Sequence, residues 1–158
     1  MVNSSGEPPS LPGSAADVDC DLGWSVSTLQ RHFSDLVAPA VADLPHGTRG
    51  YQLLHTVLRK ELPTQIGLAD YLGIDRTVIT YVIDALVEAG LVERVQDPAD
   101  RRARKIVPTD RGTAHHAALE HDVRIAEESV LRVLAADERV VFRSLLGRVA
   151  RGSRDDLT

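Results

Sequence analysis

Residues 62–95 read LPTQIGLADYLGIDRTVITYVIDALVEAGLVERV, and the spacing of caps, glycines and apolar residues in this stretch decides the fold. Thr64 is placed to cap a short helix through Tyr71, its side-chain oxygen taking a backbone N–H that the first turn leaves unpaired. Gly73 ends that helix, because glycine enters the left-handed conformation at little cost. Asp75 then caps a second helix that reaches about Ala89, where Gly90 stops it. Two helices joined by so short a turn must cross closely, which asks for a small residue on the first, and Ala69 supplies it. Leu68, Leu72, Ile74, Ile79 and Val82 are spaced to bury between them. Any one of these features is weak. Together they describe a helix-turn-helix, a motif that places its second helix in the major groove of DNA.

The next residues extend the motif. Leu91 to Val95 alternates like a strand, and ARKIVP at 103–108 alternates again. Two short strands with a charged tip between them make a β-hairpin. From Arg94 to Arg111 the chain carries six basic residues against three acidic ones, a local balance of +3 in a protein whose net charge is −5. Local charge matters more than the total for a partner that touches one face. A hairpin wing beside the second helix explains the concentration. Phosphates attract its arginines, and a planar guanidinium suits a narrow A·T-rich minor groove. Asp100, two residues before Arg102, can hold that guanidinium in position through charge-assisted hydrogen bonds.

Outward from this centre the chain reads as helix. Leu22, Val26, Leu29, Phe33, Leu36, Ala40 and Leu44 recur at three- and four-residue steps, one face of a long helix that Pro39 should kink or split. PHG at 45–47 breaks the chain, and a further helix runs from Thr48 to about Lys60. Thr109 can cap a long helix carrying Leu119, Val123, Ala126, Val130 and Val133. AADE at 135–138 interrupts it, with Asp137 as the cap of a last helix bearing Phe142, Leu145, Leu146 and Val149. The fold class is therefore mainly α with a small β-hairpin wing: a winged helix-turn-helix flanked by N- and C-terminal dimerisation helices. Residues 1–18 form a disordered tail and 19–152 one domain. Within it, 48–109 is the DNA-binding core with its wing at 92–108, 20–46 and 110–152 are the dimerisation helices, and 153–158 are a C-terminal tail. The terminal helices carry more apolar seam than a small winged core can cover, and a two-fold dimer is the default way to cover it.

Composition excludes several classes. Cys20 is the sole cysteine, so an internal disulfide and a Cys-rich metal site are both ruled out. The longest apolar run, Leu36 to Ala42, is far shorter than the roughly 18 residues of a membrane helix. Residues 1–30 contain no Lys or Arg, which argues against a basic leader. The expected location is cytoplasmic, with no membrane partner. There is no P-loop, dinucleotide fingerprint or nucleophile elbow, so no catalytic residue and no cofactor is assigned. His116, Glu120 and His121 offer helical ligand spacing, but no further ligands are placed with them, and no metal site is assigned.

The stretch LGIDRTVITYVIDALVEAGLVERVQDPADRRARKIVPTDRG, residues 72–112, resembles the core of the MarR family of multiple-antibiotic-resistance regulators. The wing of that family typically reads D-x-x-D-R-R followed by a strand and T-x-x-G. Asp97, Asp100, Arg101, Arg102, Thr109 and Gly112 match it. The resemblance implies an obligate homodimer built from the terminal helices, each subunit reading the major groove with its recognition helix and the minor groove with Arg102, which Asp100 anchors. The chain departs from the pattern at Tyr81, where many members carry a basic residue, and at Pro108, where Leu is common and where a shorter second wing strand is expected.

The candidate DNA contacts are Thr64, Gln65, Asp75, Arg76, Thr77, Thr80, Tyr81, Arg94, Asp100, Arg101, Arg102, Arg104 and Lys105. Regulators of this type commonly answer a small molecule. Trp24, Phe33, Tyr51, His55, His115 and His116 are the candidate ligand contacts, in a cleft between the dimer helices and the winged domain. The expected partners are double-stranded DNA, a second copy of the chain and a small-molecule inducer, and the expected function is that of a ligand-responsive repressor on a pseudo-palindromic operator. The competing reading is a winged helix used only for protein–protein contacts, against which the wing arginines speak.

Overall fold

The computed structural model describes residues 21–60, 64–97 and 104–155. Among them the order is α1 (Leu22–Val37), α2 (Thr48–Arg59), α3 (Gln65–Leu72), α4 (Arg76–Glu88), β1 (Val92–Gln96), β2 (Arg104–Pro108), α5 (Asp110–Val130) and α6 (Ala136–Asp155). This is the mainly helical winged fold that the sequence implies.

The helix-turn-helix forms for the reasons its sequence suggests. Thr64 Oγ1 accepts the Gly67 N–H at 3.1 Å, and Asp75 Oδ1 accepts those of Thr77 and Val78 at 2.7 and 3.3 Å. Gly73 takes φ 62°, and the Ile74 N–H then closes on the Ala69 carbonyl at 3.0 Å. Ala69 is buried at the crossing. Leu68, Ile79, Val82, Ile83 and Leu86 are fully buried, as are Leu53 and Leu54 of α2. At roughly 1.5–3 kcal/mol for each such side chain, this cluster dominates the stability of the winged core. Helix α2 sits at its centre, touching α3, α4, α5 and β2.

The wing is antiparallel, with Val92 opposite Pro108, Arg94 opposite Ile106 and Gln96 opposite Arg104. Pro108 does not shorten the second strand. It occupies the last paired position, where a missing N–H costs least. A single bridge from Thr64 to Lys105 ties the start of α3 to β2.

The first helix is split at Pro39 as expected: it ends at Val37, because Pro39 cannot supply the next N–H. Residues 38–47 turn instead, with His46 and Gly47 both at positive φ, and drop Val41 and Leu44 into the core. Two boundaries differ from the sequence reading, and the first is the end of α5 at Val130, which leaves Val133 outside the helix. The second is the start of α6, where Asp137 is not the cap. It lies in the first turn, while Glu138 reaches back to the Ala135 N–H at 2.7 Å. Helix α6 is held to α5 by ion pairs, Arg139 and Arg143 bonding Glu127 and Glu128 at 2.9–3.0 Å. Its Val140, Val141, Leu145, Leu146 and Val149 are exposed.

Candidate functional site

The N-terminal half of α4 packs one face into the core and presents the other to solvent. Arg76, Thr77 and Tyr81 are exposed there, while Ile79 and Val82 face inward. Asp75 is exposed, but its carboxylate works as the helix cap, and the two backbone amides it accepts hold its pKa below the usual carboxylate range. Thr80 differs from the expectation of an outward-facing contact. It is half-buried, donates to the Arg76 carbonyl at 2.8 Å and receives Gln65 Nε2 at 2.6 Å. Gln65 and Thr80 therefore form a strut between α3 and α4. Thr64 is likewise committed to its cap and to β2.

The wing strands add charge unevenly. Arg104 is exposed. Arg94 bonds Asp84 of α4, fixing the base of the wing to the recognition helix and neutralising a carboxylate on its far half. Lys105 pairs with Asp97 at 3.0 Å. Each of these two cations is thus partly spent within the fold. Asp100, Arg101 and Arg102, the tip that carries the wing motif, lie outside the described residues.

A second site lies behind this surface. A cleft of about 510 Å3 is lined by Phe33 and Val37 of α1, by Tyr51 and His55 of α2, by Lys60 at the end of α2, by Tyr71 of α3, and by Val123 and Glu127 of α5. Lys60 Nζ sits 5.8 Å from the centre of the Tyr71 ring. His116 approaches from α5 and is buried. Its Nε2 lies 2.9 Å from Nδ1 of His55, and its ring stacks on Tyr51 at 5.3 Å and 8°. Burial is the main cause of three shifts: it lowers the pKa of both histidines from the ordinary imidazole value and raises that of the Tyr51 phenol. Phe33, Tyr51 and His55 line the cleft, and His116, which is not part of that lining, contacts Tyr51 and His55. Trp24 is 64% exposed near the start of α1 and does not line the cleft. His115 points to the other side of its helix from buried His116, a consequence of the 100° step between neighbours, and is half-exposed. Lys60, Tyr71 and Glu127 were missed, since their meeting depends on how three helices pack. Glu120 is bound to Arg59 and Arg124, and among the described residues no group of three metal-ligating side chains forms.

The geometry is that of a winged core with an exposed helix face, and comparison with known proteins gives it a lineage. The model of the MarR family matches residues 49–103, from α2 through β1 and up to the start of β2. Over that stretch the chain is similar to the MarR family. Its similarity extends to the HTH-type transcriptional regulator YybA of Bacillus subtilis (strain 168), 28% identical over 111 residues that span 69% of this chain and 73% of that one. It extends also to the HTH-type transcriptional regulator PecS of Dickeya dadantii (strain 3937), 29% identical over 106 residues, 65% of this chain and 64% of PecS. Among solved structures, the transcriptional repressor CouR bound to a 23-mer DNA duplex is 27% identical with a TM-score of 0.72, over 82% of this chain and 92% of CouR. CouR from Rhodococcus jostii RHA1 has also been solved with p-coumaroyl-CoA, at 25% identity, TM-score 0.72, and 87% and 94% coverage. This chain carries its helix-turn-helix and wing on a frame of long helices.

Proposed function

We propose that this protein is a homodimeric, sequence-specific DNA-binding transcriptional regulator acting in the cytoplasm as a ligand-responsive repressor. The observation that carries the reading is the outward face of α4, where Arg76, Thr77 and Tyr81 stand exposed on a helix fixed to a wing by the Arg94–Asp84 pair. Helix α4 enters the major groove, Arg76 and Thr77 meeting base edges or phosphates. The wing follows the backbone, and Arg102, steadied by Asp100, reads the minor groove. CouR, which is bound to DNA in one structure and to an acyl-CoA in another, supports both halves of the proposal. Residues 48–109 form the DNA-binding core. The segments 20–46 and 110–152 form the dimer, whose interface takes in the apolar side chains that α1 and α6 expose. Paired half-sites about 10 bp apart follow from two-fold symmetry. The cleft around Tyr51 and His55 receives the inducer.

The test is fluorescence anisotropy with duplex DNA from upstream of the protein's own gene and a scrambled duplex beside it, at about 150 mM salt. A preference of roughly 1,000-fold for the native duplex is expected, within the range of specific regulators. Arg102→Ala should weaken specific binding about tenfold or more while the protein stays folded and dimeric. Unchanged affinity in that variant would sink the wing assignment. Absence of binding to any duplex at low salt would favour the protein-contact reading.

A further inference from the structure

The two histidines that meet beside the cleft join the winged core to the long helix α5. His55 belongs to α2 and His116 to α5, 61 positions apart in the chain, and a 2.9 Å contact between ring nitrogens is a hydrogen bond. Such a bond needs one nitrogen carrying hydrogen and one with a free lone pair. Two neutral rings satisfy it, and so does a pair sharing one extra proton. Two imidazolium rings do not, since both nitrogens would then carry hydrogen and both rings a positive charge.

We propose that the His55–His116 pair is a proton-operated latch between α2 and α5, closed while its rings are neutral and opened by acid.

The surroundings set the direction. From α2 and its end the pair meets Tyr51, Arg59 and Lys60, and from α5 it meets Glu120 and Glu127, with Arg124 acting on the neighbouring Tyr51. Helix α1 presents only apolar Phe33 and Val37 to the cleft, and α3 presents Tyr71 and Leu72. The face of Tyr51 favours a cation, and Glu120 and Glu127 favour one too. Burial opposes them, reinforced by Arg59 on both rings and by His55 on His116, and the net shift of both histidines is downward. A base whose pKa is lowered in the closed form leaves that form fully stable above the ordinary imidazole pKa, about 6.5. The stability is lost as pH falls from there toward the lowered value, because the open form takes up protons that the closed form refuses. Each imidazole freed by opening favours the open form about 11-fold at pH 5.5 but only about 1.1-fold at pH 7.5. The latch thus loosens by at most about tenfold for each ring that stays neutral in the closed pair, a ceiling of about a hundredfold for the two.

The latch is a property of the fold and does not depend on DNA binding. What it does to DNA binding rests on the proposed function, and there the sign is distinctive. Protonating histidines adds positive charge and should tighten binding to phosphates, whereas opening this joint frees the winged core from its frame and should weaken it.

The direct test is amide hydrogen exchange of the full chain at pH 7.5 and 5.5, with rates corrected for the intrinsic effect of pH. Peptides from α2 and from the first half of α5 should exchange severalfold faster at pH 5.5, with a ceiling of about a hundredfold. In the double variant His55→Asn/His116→Gln, whose amides replace the two bonded nitrogens without titrating, the ratio between the two pH values should fall to about one. A wild-type ratio near one, or an equal ratio in the variant, overturns the latch. Should the variant fail to fold, the imidazole C–H resonances of the wild type decide the matter. Both rings still neutral at pH 6 support the latch, and independent titration of both near pH 6.5 overturns it.

Discussion

Replacing Gly112 with alanine should pry the wing from the long helix, and the structure sets the size of the effect. Gly112 is buried in the first turn of α5, pressed against the residue that precedes β1. A Cβ built on it falls 1.9 Å from the Leu91 carbonyl oxygen and 2.8 Å from its carbon. Both obstacles are backbone, so no rotamer change relieves them, and restoring a 3.0 Å separation means lifting the turn by about 1.1 Å. That displacement breaks the joint around Thr109, whose N–H bonds the Leu91 carbonyl at 3.1 Å and whose hydroxyl bonds the Gly90 carbonyl at 2.7 Å. Losing two or three hydrogen bonds at about 1 kcal/mol each, with the strain of overpacking at about 1–3 kcal/mol, outweighs the gain of about 1 kcal/mol from alanine's helix propensity. A net loss of about 2–5 kcal/mol follows. Urea unfolding followed by far-UV circular dichroism should show the midpoint falling by about 1 M or more, for a slope of about 2 kcal/mol/M. Gly152→Ala is the control. It lies in α6 with nothing within 4 Å of a Cβ, and it should leave stability unchanged or raise it by up to about 1 kcal/mol. A Gly112→Ala midpoint equal to or above the wild type would refute the reasoning.

Leu145→Glu should dissociate the proposed dimer, because a two-fold interface would bury the new carboxylate twice without a partner; sedimentation should show self-association weakened by at least about a hundredfold. Arg104→Ala should lower affinity for every duplex alike and reduce the slope of log affinity against log salt by about one, the mark of a lost phosphate contact. Arg94→Ala, whose charge is already bound to Asp84, should leave that slope unchanged, and an equal change in both variants would remove the distinction drawn between them.

Local chemistry made the core legible. The caps at Thr64, Asp75 and Thr109 and the left-handed Gly73 act on backbone groups within a few residues, and such effects survive any tertiary context. The apolar spacing of α4 was readable for the same reason. Side chains whose roles depend on a distant partner were not. Arg94 and Lys105 read as two more cations of the wing, until folding sets them against Asp84 and Asp97. Thr80 read as an outward contact, until α3 brings Gln65 over it. The His55–His116 bond spans 61 positions, and no periodicity encodes it. The resemblance carried Gly112 as part of a motif, and the Leu91 carbonyl behind it supplies the physical reason.

These attachments make α5 the part through which the proposed regulator would act. Its first turn is bonded to the base of the wing through Thr109. Its middle is tied to α2 through His116 and through the Glu120–Arg59 pair. Its last turns hold α6 through Glu127 and Glu128. The cleft opens beside the middle attachment, bounded by α1, α2, α3 and α5, so the proposed inducer would act on the angle between the winged core and the proposed dimer frame without touching DNA. Tight binding alone would not suffice. A molecule equally at home in both arrangements shifts nothing, and release of an operator requires that it prefer the arrangement in which the two α4 helices no longer match successive major grooves. A coupling of about 1–3 kcal/mol would change operator affinity by roughly 5- to 150-fold. The His55–His116 bond acts at that same joint, so acid and an inducer would be expected to reinforce one another.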